Sequence, residues 1–462
     1  MTNDINFKNL YFVGAGGIGM AALERYFLSQ GCNVGGYDRT PTDLTAKLAD
    51  EGVTMSFDES AEAIPEAFRN PADTLVVYTP AVPASHAGLQ YFRKNGFKVI
   101  KRAELLGLIT RRSKGLCFAG THGKTTTSSM AAHILHDSGI GCNAFLGGIL
   151  RNYGTNFLLS AQSPYSVIEA DEYDRSFHHL TPHIAVITAT DPDHLDIYGT
   201  EEAYLESFAK FTELIQPGGA LIIHEGLKMK PRTAKGVTVY SYARDHGDFH
   251  AENISHANHT ITFDLVLPDN TRFTGIELGV PVEVNIENAI AALAATYLTG
   301  ELDVEGARKA MTSFQGPKRR FEFWLKTPER VIIDDYAHHP DELKASISSI
   351  KKLYPDRKLT VAFQPHLYSR TRDFAREFAE ALSLADDVIL LDIYPAREEP
   401  IEGVTSEIIY DKITSATKTL ISKDFLIETI KNRNFEILLT AGAGDICNFL
   451  PQITENAKSK HC

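Results

Sequence analysis

The chain has 462 residues, enough for more than one hydrophobic core, and its hydrophobic share of 43% and charged share of 23% are ordinary for a folded soluble protein. A net charge of −13 argues against a nucleic-acid partner, because phosphate backbones are bound by clustered lysines and arginines. Residues 1–4 are polar, unlike a secretory signal, and the longest apolar stretch, 289–298, is about half of a membrane span. The five cysteines lack a metal-binding spacing. We therefore expect a cytoplasmic protein with reduced thiols and no membrane insertion.

The N-terminal part of the chain alternates predicted strands and helices. Apolar runs predict strands at 10–13, 74–78 and 97–100, and a further strand ends at Asp38. A helix is predicted from a glycine-rich turn to Ser29. Strands that alternate with helices favour a parallel, doubly wound sheet.

That glycine-rich turn, residues 14–19, is the first candidate binding element, and we call it the glycine turn. Its glycines are Gly14, Gly16, Gly17 and Gly19. Asp38 ends the next strand at the distance expected for a carboxylate that binds a ribose hydroxyl. Taken alone, this fingerprint is typical of an NAD-type dehydrogenase, but the glycines recognise a pyrophosphate and not a nicotinamide. The diphosphate of another nucleotide carrier, or a tight turn without a ligand, therefore stays open at this point.

A second glycine-containing loop, which we call the phosphate loop, lies between the apolar residues 116–119 and a predicted helix. It consists of Gly120, Thr121, His122, Gly123, Lys124, Thr125 and Thr126. Such a loop points backbone N–H groups at an anion, with Lys124 placed for the outer phosphates of ATP and Thr125 for its magnesium ion. The match is imperfect, because Phe118 stands where the usual pattern has its first glycine. ATP binding is favoured, and a chance Gly-Lys-Thr turn is the alternative.

Acidic residues follow two strands of the same block. Glu169 ends the strand predicted at 165–168, where a carboxylate beside a phosphate loop usually holds magnesium. Asp193 and His194 lie beyond the strand predicted at 184–187 and would face the same crevice. Histidine prefers softer metals than magnesium, so Glu169 is favoured over His194 as a direct ligand. A solvated acidic loop is the alternative for this second group.

The remainder of the chain adds a strand-rich portion and another alternating segment. Residues 237–278 are rich in predicted strands, and residues 286–298 have the apolar spacing of a helix. The strands predicted beyond them are 330–333, 359–363, 387–391 and 437–440. Helices are predicted from Pro340 and from Thr371. A third open α/β domain is therefore expected.

Polar residues again follow strands in this third segment. Asp335, His338 and His339 lie between a predicted strand and Pro340. Zinc is disfavoured, because adjacent histidines on a loop cannot easily bind one ion and no cysteine is nearby in the sequence. Arg370 follows the next strand, where it could clamp a carboxylate or a phosphate. Surface charge at the start of a helix is the alternative, although a cation there opposes the helix dipole.

Taken together, these motifs resemble those of the Mur ligases, and they occur in the family's order along essentially the whole chain. They are residues 120–126, Asp193-His194-Leu195-Asp196, Asn285 with Asn288, residues 316–322 and residues 334–340. Each motif is modest alone, and jointly they are specific. The resemblance implies that the glycine turn binds the diphosphate of a UDP-sugar and removes the dehydrogenase alternative.

The resemblance implies an α/β fold of three domains. They are a Rossmann-like N-terminal UDP-sugar-binding domain at 1–110, a central P-loop ATPase-type α/β domain at 111–320, and a C-terminal Rossmann-like α/β domain at 321–462 that binds the amino acid and closes over the site. The implied reaction is ATP-dependent ligation of L-alanine to the lactyl carboxylate of UDP-N-acetylmuramate through an acyl phosphate, in peptidoglycan precursor synthesis. ATP and Mg²⁺ are the implied cofactors, and a homodimer is left open.

The resemblance also implies roles for individual residues. The catalytic residues would be Lys124, His194, Arg320 and His338. ATP would be bound by Gly120, Thr121, His122, Gly123, Lys124, Thr125, Thr126, Asn288, Arg320 and Asp335, and the metal by Thr125, Glu169 and His194. The UDP-sugar would be bound by Gly14, Gly16, Gly17, Gly19, Asp38 and Thr79, and the amino-acid side would be formed by His339 and Arg370. The sequence does not choose between His194 and His338 as the base that deprotonates the amine.

The chain departs from the family pattern at several positions. Ala189 replaces a usual asparagine, Val284 a usual histidine and Leu367 a usual arginine. Thr79 begins a segment that usually reads Ser-Ser-Ala-Ile. Two alternatives therefore stay open: a relative that joins a whole murein peptide to the UDP-sugar, and a non-catalytic ATP-binding regulator.

Overall fold

The computed structural model describes residues 7–396, 398–415 and 417–458, apart from the side chain of Asp196. These residues form two compact units. The first comprises the chain up to Glu252, Asp264–Ile276 and Glu287–Ser313, and the second comprises Asn253–Phe263, Glu277–Ile286 and the chain from Phe314 onward. The chain therefore crosses between the units several times before its C-terminal third.

The first unit begins with a five-stranded parallel sheet. Its elements are β1 (Asn9–Val13), α1 (Ile18–Ser29), β2 (Asn33–Tyr37), α2 (Asp43–Asp50), β3 (Thr54–Ser56), 3₁₀ turns at Ala61–Ala63 and Glu66–Phe68, β4 (Thr74–Tyr78), α3 (Ala87–Lys94), β5 (Lys98–Lys101) and α4 (Arg102–Thr110). The strand order is β3-β2-β1-β4-β5, so the direction of winding reverses between β1 and β4. Ligands of doubly wound sheets bind beside such a reversal, which is where the glycine turn lies.

A seven-stranded sheet follows in the same unit. Its elements are β6 (Lys114–Ala119), α5 (Lys124–Asp137), β7 (Asn143–Leu150), β8 (Thr155–Leu158), β9 (Tyr165–Glu169), a 3₁₀ segment at Tyr173–His179, β10 (Ile184–Ile187), α6 (Leu195–Tyr198), α7 (Glu201–Glu213), β11 (Ala220–His224) and β12 (Thr238–Tyr242). The order is β12-β11-β10-β6-β9-β7-β8. The pair β7–β8 is antiparallel, and the other described pairings are parallel. The central strand β6 leads into the phosphate loop.

Three more strands and two helices come next along the chain. They are β13 (His250–Ala257), β14 (Thr260–Val266), β15 (Arg272–Glu277), α8 (Val284–Tyr297) and α9 (Val304–Ser313). The strands form a sheet in the order β13-β14-β15. β14 buries Ile261, Phe263 and Leu265 at alternate positions, as expected for a strand with one face on a core. The interior of α8 is apolar and fully buried from Ala289 to Ala295, which explains its continuous apolar sequence.

The second unit contains a six-stranded sheet. Its elements are β16 (Glu322–Lys326), β17 (Val331–Asp335), α10 (Pro340–Leu353), β18 (Leu359–Phe363), α11 (Tyr368–Asp373), α12 (Ala375–Leu382), β19 (Asp387–Leu391), α13 (Glu407–Tyr410), β20 (Thr417–Ile421), a 3₁₀ turn at Lys423–Phe425, α14 (Leu426–Asn432), β21 (Ile437–Ala441), a 3₁₀ turn at Ile446–Phe449 and α15 (Leu450–Lys458). The order is β16-β17-β21-β18-β19-β20, and β16 pairs antiparallel at one edge of a parallel sheet.

The α/β fold predicted from the sequence is confirmed, with two local differences. β17 continues through Asp335, so this residue lies in the strand and not in the loop after it. The helix expected from Thr371 begins earlier, at Tyr368, and is interrupted at Phe374, whose φ of −120° leaves the helical region. The domain boundaries after residues 110 and 320 stay a prediction.

Helix α1 joins the two sheets of the first unit. Its Tyr26 ring packs edge-on against Phe145 of β7, with 5.4 Å between ring centroids. Asn156 of β8 is buried and donates a hydrogen bond of 2.7 Å to the carbonyl of Ile18, in the first turn of α1. Both sheets contribute to one hydrophobic core. The glycine turn is therefore fixed relative to the seven-stranded sheet.

Among the helices of the described residues, none has both the length and the hydrophobicity that crossing a bilayer requires.

Phe118 offers a test of the packing beneath the phosphate loop. Its side chain is fully buried in β6, so Phe118→Ala should lower the free energy of unfolding by about 3–5 kcal/mol. Phe57→Ala is the control, since Phe57 is 43% exposed in the same unit and its loss should cost under about 1 kcal/mol. Urea unfolding followed by circular dichroism measures both variants. An unfolding midpoint of Phe118→Ala equal to that of the unmutated protein would contradict the assigned position of this side chain.

Candidate active site

Two neighbouring side chains shape the glycine turn. Gly14 has a φ of +91°, and a Cβ added there would lie 2.5 Å from Thr79 Cγ2. Gly16 donates its N–H to Asp38 Oδ2 at 2.7 Å, and a Cβ on Gly16 would lie 2.9 Å from that carboxyl group. Any side chain at either position would displace the turn, which explains both glycines. Asp38 thus holds the turn in place, and its contact with a ribose stays a prediction.

A cavity of about 830 Å³ opens beside the glycine turn within the first unit. The predicted site residues on its wall are Gly14, Gly17, Gly19, Asp38, Thr79 and Glu169. Phe145 and Gly147 of β7 also line it, so both sheets contribute. Its volume is in the range of small-molecule sites. The structure therefore brings the glycine turn and Glu169 to one cavity, although they lie far apart in the sequence.

The phosphate loop needs its two glycines for the same reason. Gly120 and Gly123 have φ values of +143° and +83°, which side chains rarely adopt. A Cβ on Gly120 would overlap the Thr188 hydroxyl and lie 2.8 Å from the backbone nitrogen of Ala189. A Cβ on Gly123 would lie 2.9 Å from Asn288 Oδ1. The loop can therefore approach β10 and α8 closely only because these positions lack side chains.

The residues after β10 hold the phosphate loop. The N–H of Thr121 donates to the carbonyl of Ala189 at 3.1 Å, and the hydroxyl of Thr188 donates to the carbonyl of His122 at 2.5 Å. Thr121 Oγ1 also donates to the carbonyl of Asp191 at 2.7 Å. Ala189 acts through its backbone, so the missing asparagine side chain leaves this contact intact. The sequence analysis missed Thr188, because only the strand order shows that β10 lies beside β6.

Lys124 forms a partly buried ion pair with Glu172. Its Nζ is 2.8 Å from Glu172 Oε1 and donates to the carbonyl of Gly120 at 2.6 Å. Only 1% of Glu172 is exposed, and this burial raises the pKa of its carboxyl group, against the lowering effect of the Lys124 charge. The ammonium group of Lys124 is therefore held at the phosphate loop by the carboxylate of Glu172, a residue for which the sequence predicted no role.

Two of the predicted metal ligands are in contact. The hydroxyl of Thr125 donates to Glu169 Oε1 at 2.9 Å, and the other carboxylate oxygen of Glu169 accepts a hydrogen bond of 2.9 Å from the N–H of Gly147. A Cβ on Gly147 would overlap this carboxylate, so the glycine allows the approach. The structure thus places a hydroxyl and a carboxylate, both hard oxygen donors, beside the phosphate loop.

The third predicted ligand, His194, lies near Glu172. Its Nε2 is 3.9 Å from Glu172 Oε1 and 3.7 Å from Asp193 Oδ2. Its backbone has a φ of +53° and precedes the short helix α6. The side chains of Lys124, Glu172 and His194 therefore lie close together beside the phosphate loop. Within the described ranges, no three or more His, Cys, Asp or Glu side chains converge as a ready-made metal cage.

The remaining ATP-binding predictions in the first unit fall on α5 and α8. Asn288 is buried in α8, and its Oδ1 accepts a hydrogen bond of 3.2 Å from the hydroxyl of Thr127. Thr126 lies in the first turn of α5, directly after the phosphate-loop lysine and threonine. Asn288 thus contacts the helix that the phosphate loop opens. This contact ties α8 to the N-terminal part of α5.

In the second unit, Asp334 is the centre of a buried network. Its Oδ2 is 3.1 Å from Nε of Arg319, and its Oδ1 accepts a hydrogen bond of 2.7 Å from Thr440 of β21. Arg319 also donates to the carbonyls of Gly442 and Gly444. The network joins the carboxyl ends of β17 and β21 and fixes the segment that precedes Arg320. The sequence analysis gave Arg319 no role.

Asp335 is buried next to this network. Burial raises the pKa of its carboxyl group to about 6, although a hydrogen bond from Ser346 and the charge of Arg320 both lower it. The guanidinium group of Arg320 lies over the ring of Tyr336, 5.6 Å from its centroid. The structure thus brings the predicted residues Arg320 and Asp335 together in the second unit.

His338 and His339 are held by Glu342 of α10. The Glu342 carboxylate accepts the backbone N–H groups of His338 and His339 at 3.0 Å and 3.2 Å. Burial would raise the pKa of Glu342, but His338 and Arg320 bring it to about 2. Nδ1 of His338 faces two acceptors, Glu342 Oε2 at 3.2 Å and the carbonyl of Tyr336 at 3.1 Å. Nδ1 is therefore placed to donate a hydrogen bond to these acceptors, and Nε2 takes no part in this contact.

Arg370 lies in α11, and His339 contacts the residue that follows this helix, while the role of both on the amino-acid side stays a prediction. Within the described part of the second unit, the buried Nη1 of Arg370 has no hydrogen-bond partner. The ring of His339 packs 4.9 Å from the ring of Phe374, which follows α11. Leu367, in place of the usual arginine, has a φ of +70° and donates its N–H to the carbonyl of Tyr394 at 3.0 Å. The backbone at this departure is therefore fixed by the loop after β19.

Three family models match successive parts of the chain. They are described as the Mur ligase family catalytic domain at residues 9–114, the Mur ligase middle domain at 118–296, and the Mur ligase glutamate ligase domain at 319–450. Each of the two candidate sites described above lies within these matched ranges. The glycine turn and the phosphate loop fall in different models of one family.

Individual relatives match over nearly the full length. The UDP-N-acetylmuramate–L-alanine ligase of Phocaeicola vulgatus is 58% identical over 452 residues, 97% of this chain and 98% of that protein. The ligase of the same name from Parabacteroides distasonis is 58% identical over 454 residues, 98% of each chain. The crystal structure of the UDP-N-acetylmuramate–alanine ligase of Thermotoga maritima matches with a TM-score of 0.80 and 27% identity, over 98% of this chain and 99% of that one. The chain belongs to the Mur ligase family, which confirms the resemblance found in the sequence.

Gly120 provides a test of the phosphate loop. Gly120→Ala should weaken ATP binding at least tenfold, because the added methyl group overlaps Thr188 and forces the loop away from β10. Gly139→Ala is the matched control: it has a φ of +83° just after α5, but nothing lies within 4 Å of its added Cβ. It should lose about 1 kcal/mol of stability and keep its ATP affinity. Titration with a fluorescent ATP analogue distinguishes the two, and equal affinities would refute the geometry.

Asp335 gives the second unit a pH dependence. Its carboxyl pKa rises from 3.8 to about 6 on folding, so the folded state keeps a proton that the unfolded chain has lost. The contribution of this group to the free energy of unfolding is fully present below about pH 4 and is lost as the pH rises through 6. The total loss is about 3 kcal/mol, and about 1 kcal/mol of it occurs above pH 5.

Replacing Asp335 should remove this slope. Asp335→Asn is expected to be less sensitive to pH between 5 and 7 than the unmutated protein, as measured by urea unfolding across that range. Asp341→Asn, which changes an exposed side chain on α10, should keep the slope. The interval above pH 5 avoids the opposite contribution of Glu342, whose pKa of about 2 affects stability at lower pH. A slope unchanged by Asp335→Asn would refute the assignment.

Proposed function

We propose that this protein uses ATP to join L-alanine to the lactyl carboxylate of UDP-N-acetylmuramate, in the synthesis of peptidoglycan precursors. One observation carries the proposal: Glu169 contacts Thr125 of the phosphate loop and also lines the cavity of the glycine turn. A nucleotide triphosphate on one element and a sugar nucleotide on the other would therefore meet at this residue. Relatives with this activity share 58% of their residues with the chain over nearly its whole length.

The chemistry follows from the weakness of a carboxylate as an electrophile. Its charge repels the amine, and its leaving group would be oxide. Transfer of the γ-phosphoryl group of ATP to the carboxylate oxygen gives ADP and an acyl phosphate. The amine of L-alanine then attacks the carbonyl carbon, and the tetrahedral intermediate collapses to the amide with loss of phosphate and a proton. The protein has to position the groups and neutralise the negative charge that develops, and Lys124 is placed to do so.

Thr125 and Glu169 would hold the magnesium ion that accompanies ATP. Both supply hard oxygen donors, and magnesium is commonly held by one or two such side chains together with phosphate oxygens and water. The ion would neutralise phosphate charge during transfer. An imidazole suits magnesium less well, so the metal role of His194 stays a prediction.

Other assignments also rest on the family resemblance. The roles of Asn288, Arg320 and Asp335 in ATP binding, and of His339 and Arg370 on the amino-acid side, stay predictions. His194 and His338 both stay candidates for the base. A homodimer stays a prediction as well.

The ligase reaction is tested with ATP, magnesium, UDP-N-acetylmuramate and L-alanine. We expect ADP, phosphate and the amide product in equal amounts, detected by coupled assay and mass spectrometry. Lys124→Met should lower kcat by roughly a hundredfold or more, because one charge-neutralising group is lost. Lys228→Met is the control: its exposed side chain pairs with Glu201, and its loss should leave the rate unchanged. Absence of the amide with folded protein present would refute the proposal.

The acceptor decides between the proposal and its alternatives. Comparison of L-alanine with a murein tripeptide should give a higher kcat/KM for L-alanine, and the reverse would favour the peptide-joining relative. Glycine and L-serine belong in the same screen, because the sequence leaves the preference among the three amino acids open. A rate of ADP formation that is the same with and without an acceptor, or no ADP formation although ATP binds, would favour a non-catalytic regulator.

A further inference from the structure

The cavity beside the glycine turn carries more acidic than basic groups. Its carboxylates are Asp38, Glu59, Glu169 and Asp171, and its guanidinium groups are Arg39 and Arg102. A nucleoside diphosphate would bring at least two more negative charges. Binding such a ligand among four carboxylates requires a cation placed next to the phosphates. The position of each arginine therefore bears on how the sugar nucleotide is held.

Arg102 is the arginine that lies against the glycine turn. It opens α4, directly after β5, and its Nη1 would be 2.6 Å from a Cβ added to Gly19 in the first turn of α1. The guanidinium group can therefore occupy this position only because Gly19 has no side chain. A residue that makes room for an arginine at a cavity wall indicates that the arginine is part of the site.

The side chain of Arg102 is half-buried and makes no ion pair or hydrogen bond with any other described residue. The adjacent Lys101, in contrast, is paired with Asp174 at 2.9 Å. On α1 itself, Arg25 is paired with Glu51 at 2.6 Å. A half-buried guanidinium group with five donors and no acceptor gains much from an anionic ligand. Arg102 is thus available to an anion that comes from outside the described residues.

The backbone beside Arg102 is rigid. Asn156 donates to the carbonyl of Ile18, on the same turn as Gly19, and it also donates to the carbonyl of Leu146 at 3.2 Å. The turn is therefore fixed between α4 and β8. A ligand that binds there meets a preorganised surface, so little binding free energy is lost in ordering it.

Resting on the proposed function, we propose that Arg102 binds the diphosphate of the sugar nucleotide. Its planar guanidinium group can donate two parallel hydrogen bonds to phosphate oxygens, next to the backbone of the glycine turn. The sequence analysis assigned no role to this residue. The substrate offers a second anion, the lactyl carboxylate, and the test below separates the two groups.

The test compares ligands that differ in one group. UDP and uridine are titrated into the full-length protein by calorimetry without ATP, and UDP-N-acetylmuramate is titrated in parallel. Arg102→Gln should weaken UDP binding by about tenfold to a hundredfold and leave uridine binding unchanged, because only UDP has the diphosphate. Arg102→Lys should weaken UDP binding less, since it keeps the charge but loses the planar fork.

Arg25→Gln is the matched control. Arg25 lies on α1, the helix that contains Gly19, and its guanidinium group is already paired with Glu51. It should bind UDP as tightly as the unmutated protein. Thermal unfolding of each variant verifies that it folds, and if Arg102→Gln does not fold, Arg102→Lys carries the test with an expected loss of about threefold to tenfold in UDP affinity.

Two outcomes would overturn the assignment. Unchanged UDP affinity with weakened UDP-N-acetylmuramate binding would show that Arg102 holds the carboxylate, and unchanged affinity for both would remove it from the site. The proposed function fails separately: an unmutated protein that binds UDP but forms no amide would refute the ligase reaction and leave the Arg102 result to stand by itself.

Discussion

The hydrogen bonds between the phosphate loop and the end of β10 are the constraint on which the candidate active site depends. Thr121 is fixed by the carbonyl of Ala189, and Thr188 holds the carbonyl of His122. These contacts require the loop to lie so close to β10 that Gly120 cannot carry a side chain. The backbone thereby leaves the strand on a left-handed path at Gly120, a conformation found in loops whose N–H groups bind anions.

Two neighbouring pairs of polar side chains lie beside this loop. Lys124 is paired with the buried Glu172, and Thr125 is hydrogen-bonded to Glu169. A buried charge that loses its partner destabilises the fold. If the ammonium group of Lys124 leaves the carboxylate of Glu172, each of them therefore needs a new partner of opposite charge. The second pair supplies oxygen donors suited to magnesium. Lys124 and Thr125 are adjacent residues at the start of α5, where the proposed phosphate chemistry would need a cation and a metal ligand.

The first turn of α1 links the glycine turn to the seven-stranded sheet that carries the phosphate loop. Asn156 of β8 fixes Ile18, and the Tyr26 ring packs on Phe145 of β7. Arg102 lies beside Gly19, where an added Cβ would be 2.6 Å from its Nη1. The glycine turn and Glu169, which lie far apart in the chain, thus line one cavity. Reactions that join two substrates depend on such positioning.

The sequence by itself determined the α/β alternation, the two glycine-containing turns and the family, because strand and helix periodicity and turn glycines are local properties. It also indicated Lys124 and Glu169. Only the tertiary structure decided the rest. Glu172, Thr188 and Arg102 carry no local signal, since their roles depend on strand order and on side chains that meet across separate elements. Contacts of this kind arise from packing between distant segments, and no spacing within the chain encodes them.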